Sequence, residues 1–240
     1  MICLFTDFGA CDLYVGQMHQ AIRRQAPEGA VIDLFHSAPA FNVRAGAYLA
    51  AHYCPPIAGA VYCCIVDPGV GGPRAAAVID IDGCFYVGPD NGLFEILMRR
   101  FPVRSARRIT WKPESMSSTF HGRDLFAPVA ARLSLNQPVE AEAFQPRRFG
   151  EWPDDADEII YIDHYGNAIT GMHASKVDVD QIMFAGGTAV AHANSFGEVP
   201  LREAFWYENA NGLVEIAVNQ GSADRMLNLQ VGSPVRIVKP

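Results

Sequence analysis

The segment VYCCIVDPGVGGPR, Val61 to Arg74, joins an apolar run to a loop that contains three glycines and two prolines. The apolar run predicts a buried strand, with Asp67 just beyond its end. The loop has neither a P-loop ending nor a G-x-G-x-x-G pattern, so a phosphate cradle fits poorly. Because proline fixes φ and glycine permits positive φ, the loop predicts a rigid turn holding Asp67 and Arg74. Two interpretations remain open at this point: a structural turn with a surface ion pair, and a functional site.

Outward from this segment, strand-like and helix-like stretches alternate through the first half of the chain. ICLFTD, AVIDLFH and AVYCCIVD are strand-like, and AAAVIDIDGCFYVGPDNG indicates further strands with a turn. Apolar residues recur at helical spacing in DLYVGQMHQAIRRQAP, and NVRAGAYLAAHYC, GLFEILMRRF and GRDLFAPVAARLSL also predict helices. This order predicts a larger N-terminal α/β domain with a mainly parallel sheet.

The sequence changes character near Gln145. Residues 146–157 are rich in proline and charge, which is typical of a linker. Short alternating strands separated by Gly, Asn and Asp turns follow, with hardly a helix among them. We therefore predict an N-terminal domain over 1–145 and a smaller, all-β, barrel-like domain over 158–240.

Composition narrows the function classes. The net charge is −7, from 19 basic and 26 acidic residues, so we expect no nucleic-acid partner. No apolar run approaches the roughly 20 residues of a membrane helix, and the N-terminus does not resemble a signal peptide, so we expect no membrane association and a cytoplasmic location. The six cysteines lack metal-binding spacing, which favours buried free thiols and predicts no metal site.

Candidate catalytic residues lie where ligands bind in α/β sheets, beyond strand ends. Asp7, Asp67 and Asp90 each follow a predicted strand, although an acid there is often only a cap or turn residue. His121 precedes a predicted helix, where its ring could enter the same cleft or serve a structural role. In DHYGNAIT, a tight turn would present Asp163 and Asn167 on one side.

Six motifs give the chain a family resemblance. TDFG, VDPGVGGPR, PDNG, TFHGRDLFAPVAA, IDHYGN and NGLVEIAVNQGSA occur in this order across residues 2–238. Their order is similar to that in the S-adenosyl-L-methionine (SAM) hydroxide adenosyltransferases, or adenosine-forming SAM hydrolases, which are related to fluorinase and chlorinase. The resemblance implies an α/β domain joined to a barrel-like domain in a homotrimer. It places the substrate between the N-terminal domain of one subunit and the C-terminal domain of its neighbour.

The resemblance also implies a reaction, the attack of water or hydroxide on the 5′-carbon of SAM, which yields adenosine and methionine without a metal or redox cofactor. Asp67, Arg74 and His121 match the family's catalytic trio. Asp7 matches the carboxylate that binds the ribose hydroxyls, and Asp163 and Asn167 match residues that bind adenine and the methionine amino group. The full expected binding set is Asp7, Phe8, Phe41, Phe120, Gly122, Asp163, Tyr165, Asn167, Phe196, Tyr207, Asn209, Glu215 and Val218.

Some positions depart from the family pattern. Ala210 and Asn211 replace a serine and, relative to the halogenases, an arginine, which leaves the methionine carboxylate without an assigned partner. Asn42 stands where an aspartate is frequent. The alternatives are a halogenase, which would carry a serine at Gly122 and lack the trio, a non-catalytic SAM or adenosine-binding protein, and a hydrolase of another nucleoside.

Overall fold

The computed structural model describes residues 1–238 and divides into two compact units. The first is Met1–Gly150 and the second begins at Glu151. This boundary falls within residues 146–157, the predicted linker. Lys239 and Pro240, which close the predicted C-terminal domain, lie outside the described residues.

A seven-stranded sheet forms the centre of the N-terminal unit, in the order β2-β1-β3-β5-β4-β6-β7. The β1–β2, β1–β3 and β3–β5 pairs are parallel and the other three are antiparallel, so the predicted mainly parallel sheet is corrected to a mixed one. The cause is a tight β4–β5 turn through Asp82 and Gly83, both at positive φ, since so short a connection allows only antiparallel pairing. The strands are β1 (Ile2–Thr6), β2 (Val31–Phe35), β3 (Val61–Ile65), β4 (Ala76–Ile81), β5 (Cys84–Pro89), β6 (Val103–Ile109) and β7 (Ala141–Ala143).

The first two helices of this unit begin at polar caps that the sequence supplies. Asp12 Oδ1 accepts a hydrogen bond from the Leu13 amide, 2.7 Å away, and Asn42 Oδ1 accepts one from the Ala45 amide at 3.0 Å. Asn42 is therefore a helix cap, which accounts for a residue that the sequence left unexplained. The helical segments are α1 (Leu13–Gln25), α2 (Val43–Tyr53), α3 (Glu95–Arg100), a π-helical turn (Gly122–Phe126) and α4 (Ala127–Ser134).

Seven further strands form the C-terminal unit, in the order β14-β10-β11-β12-β13-β9-β8. Every pair is antiparallel except β11–β12. A bridge between Glu158 and Pro234 connects the two outer strands, which gives the barrel-like closure predicted from the sequence. The elements are β8 (Ala156–Ile162), β9 (Ala168–His173), β10 (Ile182–Ala185), β11 (Thr188–His192), β12 (Ala204–Glu208), β13 (Leu213–Val218), α5 (Ala223–Met226) and β14 (Val235–Val238).

All six cysteines are free thiols, five of them buried and Cys11 exposed. Burial raises the pKa of the Cys63 and Cys64 thiols well above its usual value, as expected for thiols that serve as small core residues. Within residues 1–238, no helix combines the length and apolar character needed to cross a membrane.

Candidate active site

The loop after β3 reverses the chain within a few residues. The Val70 amide donates to the Asp67 carbonyl at 3.2 Å, and the Gly72 amide donates to the Gly69 carbonyl at 2.9 Å. Gly71 has φ = 79°, and a Cβ there would lie 2.5 Å from the Ser118 carbonyl oxygen. Glycine is therefore required at this point of the turn. The reversal returns the chain so that Arg74 lies beside Asp67.

Asp67, Arg74 and His121 are in direct contact. Arg74 Nε lies 3.1 and 3.0 Å from the two carboxylate oxygens of Asp67, and Nη2 lies 2.5 Å from Oδ2. The same Nη2 lies 2.9 Å from His121 Nδ1. The side chains of Asp67 and Arg74 are only 5% and 12% exposed, so a surface ion pair does not describe this turn. Of the two interpretations left open by the sequence, the geometry favours a site.

The contact with Arg74 determines the tautomer of His121. A guanidinium can only donate, so His121 Nδ1 must accept, and the ring proton of the neutral imidazole lies on Nε2. Burial, together with the charge of Arg74, lowers the pKa of His121 below its ordinary value of 6.5. His121 is therefore a neutral imidazole at pH 7.

Asp67 and His121 border a cavity of about 270 Å³ in the N-terminal unit. Seven of the eight site residues predicted in this unit line it, and Arg74 lies behind them in contact with two of the seven. The sequence missed five lining residues: Tyr14, Ala40, Ile65, Val70 and Thr119. The predicted lining residues are Asp7, Phe8, Phe41, Asp67, Phe120, His121 and Gly122.

Only two of the three strand-end acids lie in this pocket. Asp7 Oδ2 accepts a hydrogen bond from the Phe41 amide at 3.0 Å, and burial raises the pKa of Asp7. Phe41 has φ = 63°, and its side chain is largely exposed at the pocket rim. Asp90 instead borders a separate cavity, where it accepts a hydrogen bond from the Arg147 amide at 3.0 Å. The Asp90 side chain therefore binds the segment at Arg147 and lies outside the N-terminal pocket.

Aromatic rings form one wall of the N-terminal pocket. Phe8, Tyr14 and Phe120 contact one another with ring centroids 5.4–5.8 Å apart. Tyr14 lies in the first turn of α1 next to the buried Val15, and it is 40% exposed. An aromatic residue only five positions after the last residue of TDFG is a signal that could have identified Tyr14 from the sequence.

A second cavity, of about 450 Å³, lies in the C-terminal unit. Asp163 shapes its turn: Oδ1 accepts from the amides of Tyr165 and Asn167 at 2.9 and 2.8 Å, and Oδ2 accepts from the Asn167 side chain at 3.1 Å. Tyr165 is 73% exposed at the rim of this cavity. The lining residues are Asp163, Tyr165, Asn167, Phe196, Tyr207, Glu215, Val218, Gln220 and Gly221, of which the sequence missed the last two.

Glu215 is the buried carboxylate of the C-terminal pocket. Tyr207 donates its hydroxyl proton to Oε1, and the Asn209 amide donates to Oε2 at 3.0 Å. Asn209 does not line the cavity, because its oxygen accepts from the Asn211 and Leu213 amides at 2.9 and 3.0 Å. Asn209 therefore positions Glu215 through the β12–β13 turn.

The side chains of the N-terminal pocket indicate the chemistry that it can support. The N-terminal pocket places two carboxylates and a neutral imidazole among apolar walls, which suits the positioning of a water molecule beside an organic substrate. Within the described chain, no group of three or more His, Cys, Asp or Glu side chains is arranged to hold a metal ion.

Comparison with known proteins identifies the family. The SAM hydroxide adenosyltransferase N-terminal domain matches residues 2–143 and the C-terminal domain of the same family matches residues 157–236. An (R)-S-adenosyl-L-methionine hydrolase from Thermus thermophilus is 38% identical over 99% of both chains. A crystal structure of an uncharacterised conserved protein from Thermotoga maritima superposes with a TM-score of 0.84, at 30% identity over 100% of both chains. A fluorinase from Actinopolyspora mzabensis is only 22% identical, over 100% of this chain and 97% of its own. The chain therefore belongs to the SAM hydroxide adenosyltransferase family.

Proposed function

We propose that this protein is an enzyme that hydrolyses SAM to adenosine and L-methionine. The observation that carries the proposal is the buried contact of Arg74 with Asp67 and His121 at the edge of a cavity. Family membership and the name of the Thermus thermophilus relative support SAM as the substrate. The trio supplies the polar groups that a water nucleophile needs.

In the proposed reaction, a water oxygen attacks the 5′-carbon of SAM while the carbon–sulfur bond breaks. The bonding electron pair goes to the sulfonium, which leaves as the neutral thioether of methionine. Asp67 accepts a hydrogen bond from the attacking water and takes up its proton as the carbon–oxygen bond forms, and Arg74 fixes the carboxylate by binding both oxygens. His121 Nε2–H donates a hydrogen bond that orients the water oxygen. Since the sulfonium is already a good leaving group, alignment and desolvation of the nucleophile are the main tasks of the site.

The remaining pocket residues would bind the substrate. In this proposal, Asp7 accepts hydrogen bonds from the ribose hydroxyls, while Asp163 and Asn167 bind adenine and the methionine amino group. Exposed aromatic rings at the two rims, Phe41 and Tyr165, would cover the substrate. We further propose a homotrimer in which the N-terminal pocket of one subunit and the C-terminal pocket of its neighbour share one SAM molecule. The family resemblance supports that assembly.

A halogenase is the second candidate, and the pocket argues against it. Gly122 has no hydroxyl to hold a halide, and a Cβ there would lie 3.1 Å from Ile65 Cδ1 and 3.1 Å from Phe8 Cζ. A serine would therefore require its neighbours to move. The Asp67 carboxylate would also repel an anion at this place, whereas it accepts a proton from water.

Incubation of the purified protein with SAM, followed by chromatography for adenosine and methionine, tests the function. We expect both products in equal amounts, with and without a chelator, because no step of the proposed mechanism uses a metal. A protein that binds SAM without turnover would instead be a binding protein. Hydrolysis of other nucleosides in preference to SAM would support the remaining alternative.

The shared site is tested by mixing two impaired variants, assayed at a SAM concentration well below KM, where weakened binding also lowers the rate. Asp67→Asn disables the N-terminal pocket and Asn167→Ala disables the C-terminal pocket, so mixed oligomers would contain some sites with two intact halves. We expect partial recovery of activity after verified subunit exchange, and a trimer by sedimentation. If exchange occurs without recovery, each site is built within one chain.

A further inference from the structure

A buried polar chain runs beneath the Asp7 loop. Thr6 Oγ1 lies 2.8 Å from His36 Nδ1, and His36 Nε2 lies 3.1 Å from Asp33 Oδ1. His19 Nε2 approaches the same oxygen of Asp33 to 2.7 Å, nearer the surface. Thr6 is fully buried and the His36 side chain is 6% exposed. Neither residue lines the N-terminal pocket, so the mechanism above leaves this chain without a role.

The donor and the acceptor of each hydrogen bond in this row of side chains can be assigned in order. Burial by itself would raise the pKa of Asp33, but hydrogen bonds from His19 and His36 outweigh it and lower that pKa. Asp33 is thus an acceptor, and His36 Nε2 carries the proton that it donates. His36 Nδ1 then accepts from the Thr6 hydroxyl, whose oxygen accepts from the Phe8 amide at 3.2 Å. Each of these hydrogen bonds then has one donor and one acceptor.

These hydrogen bonds connect the two loops that carry Asp7 and Phe41. Thr6 and Phe8 flank Asp7 and are bonded to each other, and the Gly9 amide donates to the His36 carbonyl at 2.7 Å. Phe41 follows His36 by five residues, and its amide binds the Asp7 carboxylate. The orientation of that carboxylate therefore depends on both loops.

We propose that His36 is a positioning residue that, through the Thr6 hydroxyl, holds the Asp7 carboxylate in the geometry that selects a ribose. The inference rests on the proposed function, in which Asp7 binds the ribose hydroxyls. It assigns His36 no contact with substrate. Removing the link should reduce ribose recognition and leave the attack by water intact, because Asp67, Arg74 and His121 belong to other elements.

Thr6→Val and Thr6→Ser form the decisive pair, since valine keeps the shape and loses the hydroxyl while serine keeps the hydroxyl. Binding of adenosine and 2′-deoxyadenosine is measured by calorimetry, and kcat and KM with SAM. Thr6→Val should lower the preference for adenosine over 2′-deoxyadenosine by about tenfold and raise KM, with kcat unchanged, as expected when a carboxylate loses its alignment. Thr6→Ser should behave as the wild type.

Thr170→Val is the matched control. Thr170 is also fully buried, and its hydroxyl donates to the Val214 carbonyl at 2.9 Å in the C-terminal unit. It should lower the thermal stability as Thr6→Val does, yet keep the preference for adenosine. If Thr6→Val does not fold, His36→Asn and His36→Leu replace it, because the asparagine carbonyl can accept from Thr6 and leucine cannot.

The outcomes separate the two proposals. Unchanged nucleoside preference in Thr6→Val, or an equal loss in Thr170→Val, would overturn the positioning role of His36. Absence of SAM turnover in the wild type would count against the hydrolase alone, since the binding comparison needs no turnover. Loss of preference in Thr6→Val with retention in Thr6→Ser and Thr170→Val would establish the role.

Discussion

The two pockets contain similar residue types but use their charges differently. In the N-terminal pocket, the Asp67 carboxylate is bound by the guanidinium of Arg74, which also binds an imidazole. In the C-terminal pocket, Asp163 is bound by backbone amides and an asparagine, and Glu215 by a phenol and an amide. No Arg, Lys or His side chain is among the lining residues found there. Both pockets thus contain carboxylates, but Asp67 of the N-terminal pocket is bound by a cation and those of the C-terminal pocket are bound by neutral donors.

This difference predicts a division of kinetic effects. Substitutions of Asp67, Arg74 or His121 should change the barrier of the chemical step, because these side chains would act on the attacking water as the transition state develops. Substitutions in the C-terminal pocket should change binding in the ground state and the transition state alike. The comparison would fail if both pockets affected kcat to the same extent.

Asp67→Asn should have the largest effect. An amide cannot accept a proton from water as a carboxylate does, so we expect kcat to fall by about 10²- to 10⁴-fold, with SAM affinity retained. Asp90→Asn is the matched control, since Asp90 also follows a strand but faces a different cavity. Stopped assays for adenosine and calorimetry with SAM measure the two quantities. A collapse of SAM binding with near-normal residual turnover would contradict the assignment.

Tyr207→Phe should have a smaller effect of a different kind. The variant removes the hydroxyl that donates to Glu215, a carboxylate only 6% exposed. Leaving a buried carboxylate short of a donor should raise KM by about tenfold while kcat at saturation stays the same. Steady-state kinetics over a wide range of SAM concentrations measure both constants. A fall in kcat with normal KM would place this residue in the chemistry instead.

The sequence predicted the local elements better than their pairing. Helical spacing indicated α1 and α2, and apolar runs indicated β1 to β3. The mixed sheet was missed because the direction of a strand depends on its pairing with distant strands. Local periodicity carries no information about that pairing. The strands β6, β7 and β10 were also missed, since β6 is mostly polar and the other two have only three or four residues.

The candidate site was predicted from motifs, and geometry added what motifs omit. The loop VDPGVGGPR predicted the approach of Arg74 to Asp67, because its glycines and prolines determine the turn. Three strand-end acids were expected together, but Asp90 lies apart, since its side chain points into another cavity. The hydrogen-bonded side chains around His36 could not be predicted from the sequence, because Thr6, His19 and Asp33 are far apart in sequence and meet only in the folded protein.

The pH dependence of kcat/KM should reflect the protonation of His121 in the N-terminal pocket. Burial and Arg74 lower the pKa of His121, so the neutral ring that accepts from Arg74 persists below pH 6.5. We expect kcat/KM to decline at acid pH with a midpoint below 6.5, where the pH passes the lowered pKa of His121. The sign follows because protonation places a positive ring against the guanidinium. Rate profiles together with NMR titration of the His121 ring test this, and a decline centred above 6.5 would contradict it.

The smallest expected effect is that of chloride on the products. A chloride ion must lose its hydration before it can attack, and the pocket has few free donors to replace the lost water molecules. Arg74 is already bound to Asp67 and His121, Gly122 supplies no hydroxyl, and the Asp67 carboxylate repels an anion at the place where it attracts a water proton. SAM is incubated with the enzyme in concentrated sodium chloride, with sodium acetate of equal ionic strength as the control. Mass spectrometry should find adenosine as the nucleoside product in both samples, because chloride must be dehydrated and is repelled by the Asp67 carboxylate, whereas water is not. A substantial fraction of 5′-chloro-5′-deoxyadenosine in the chloride sample would show that an anion can approach the 5′-carbon beside Asp67, and the carboxylate would then not be the partner of the attacking water.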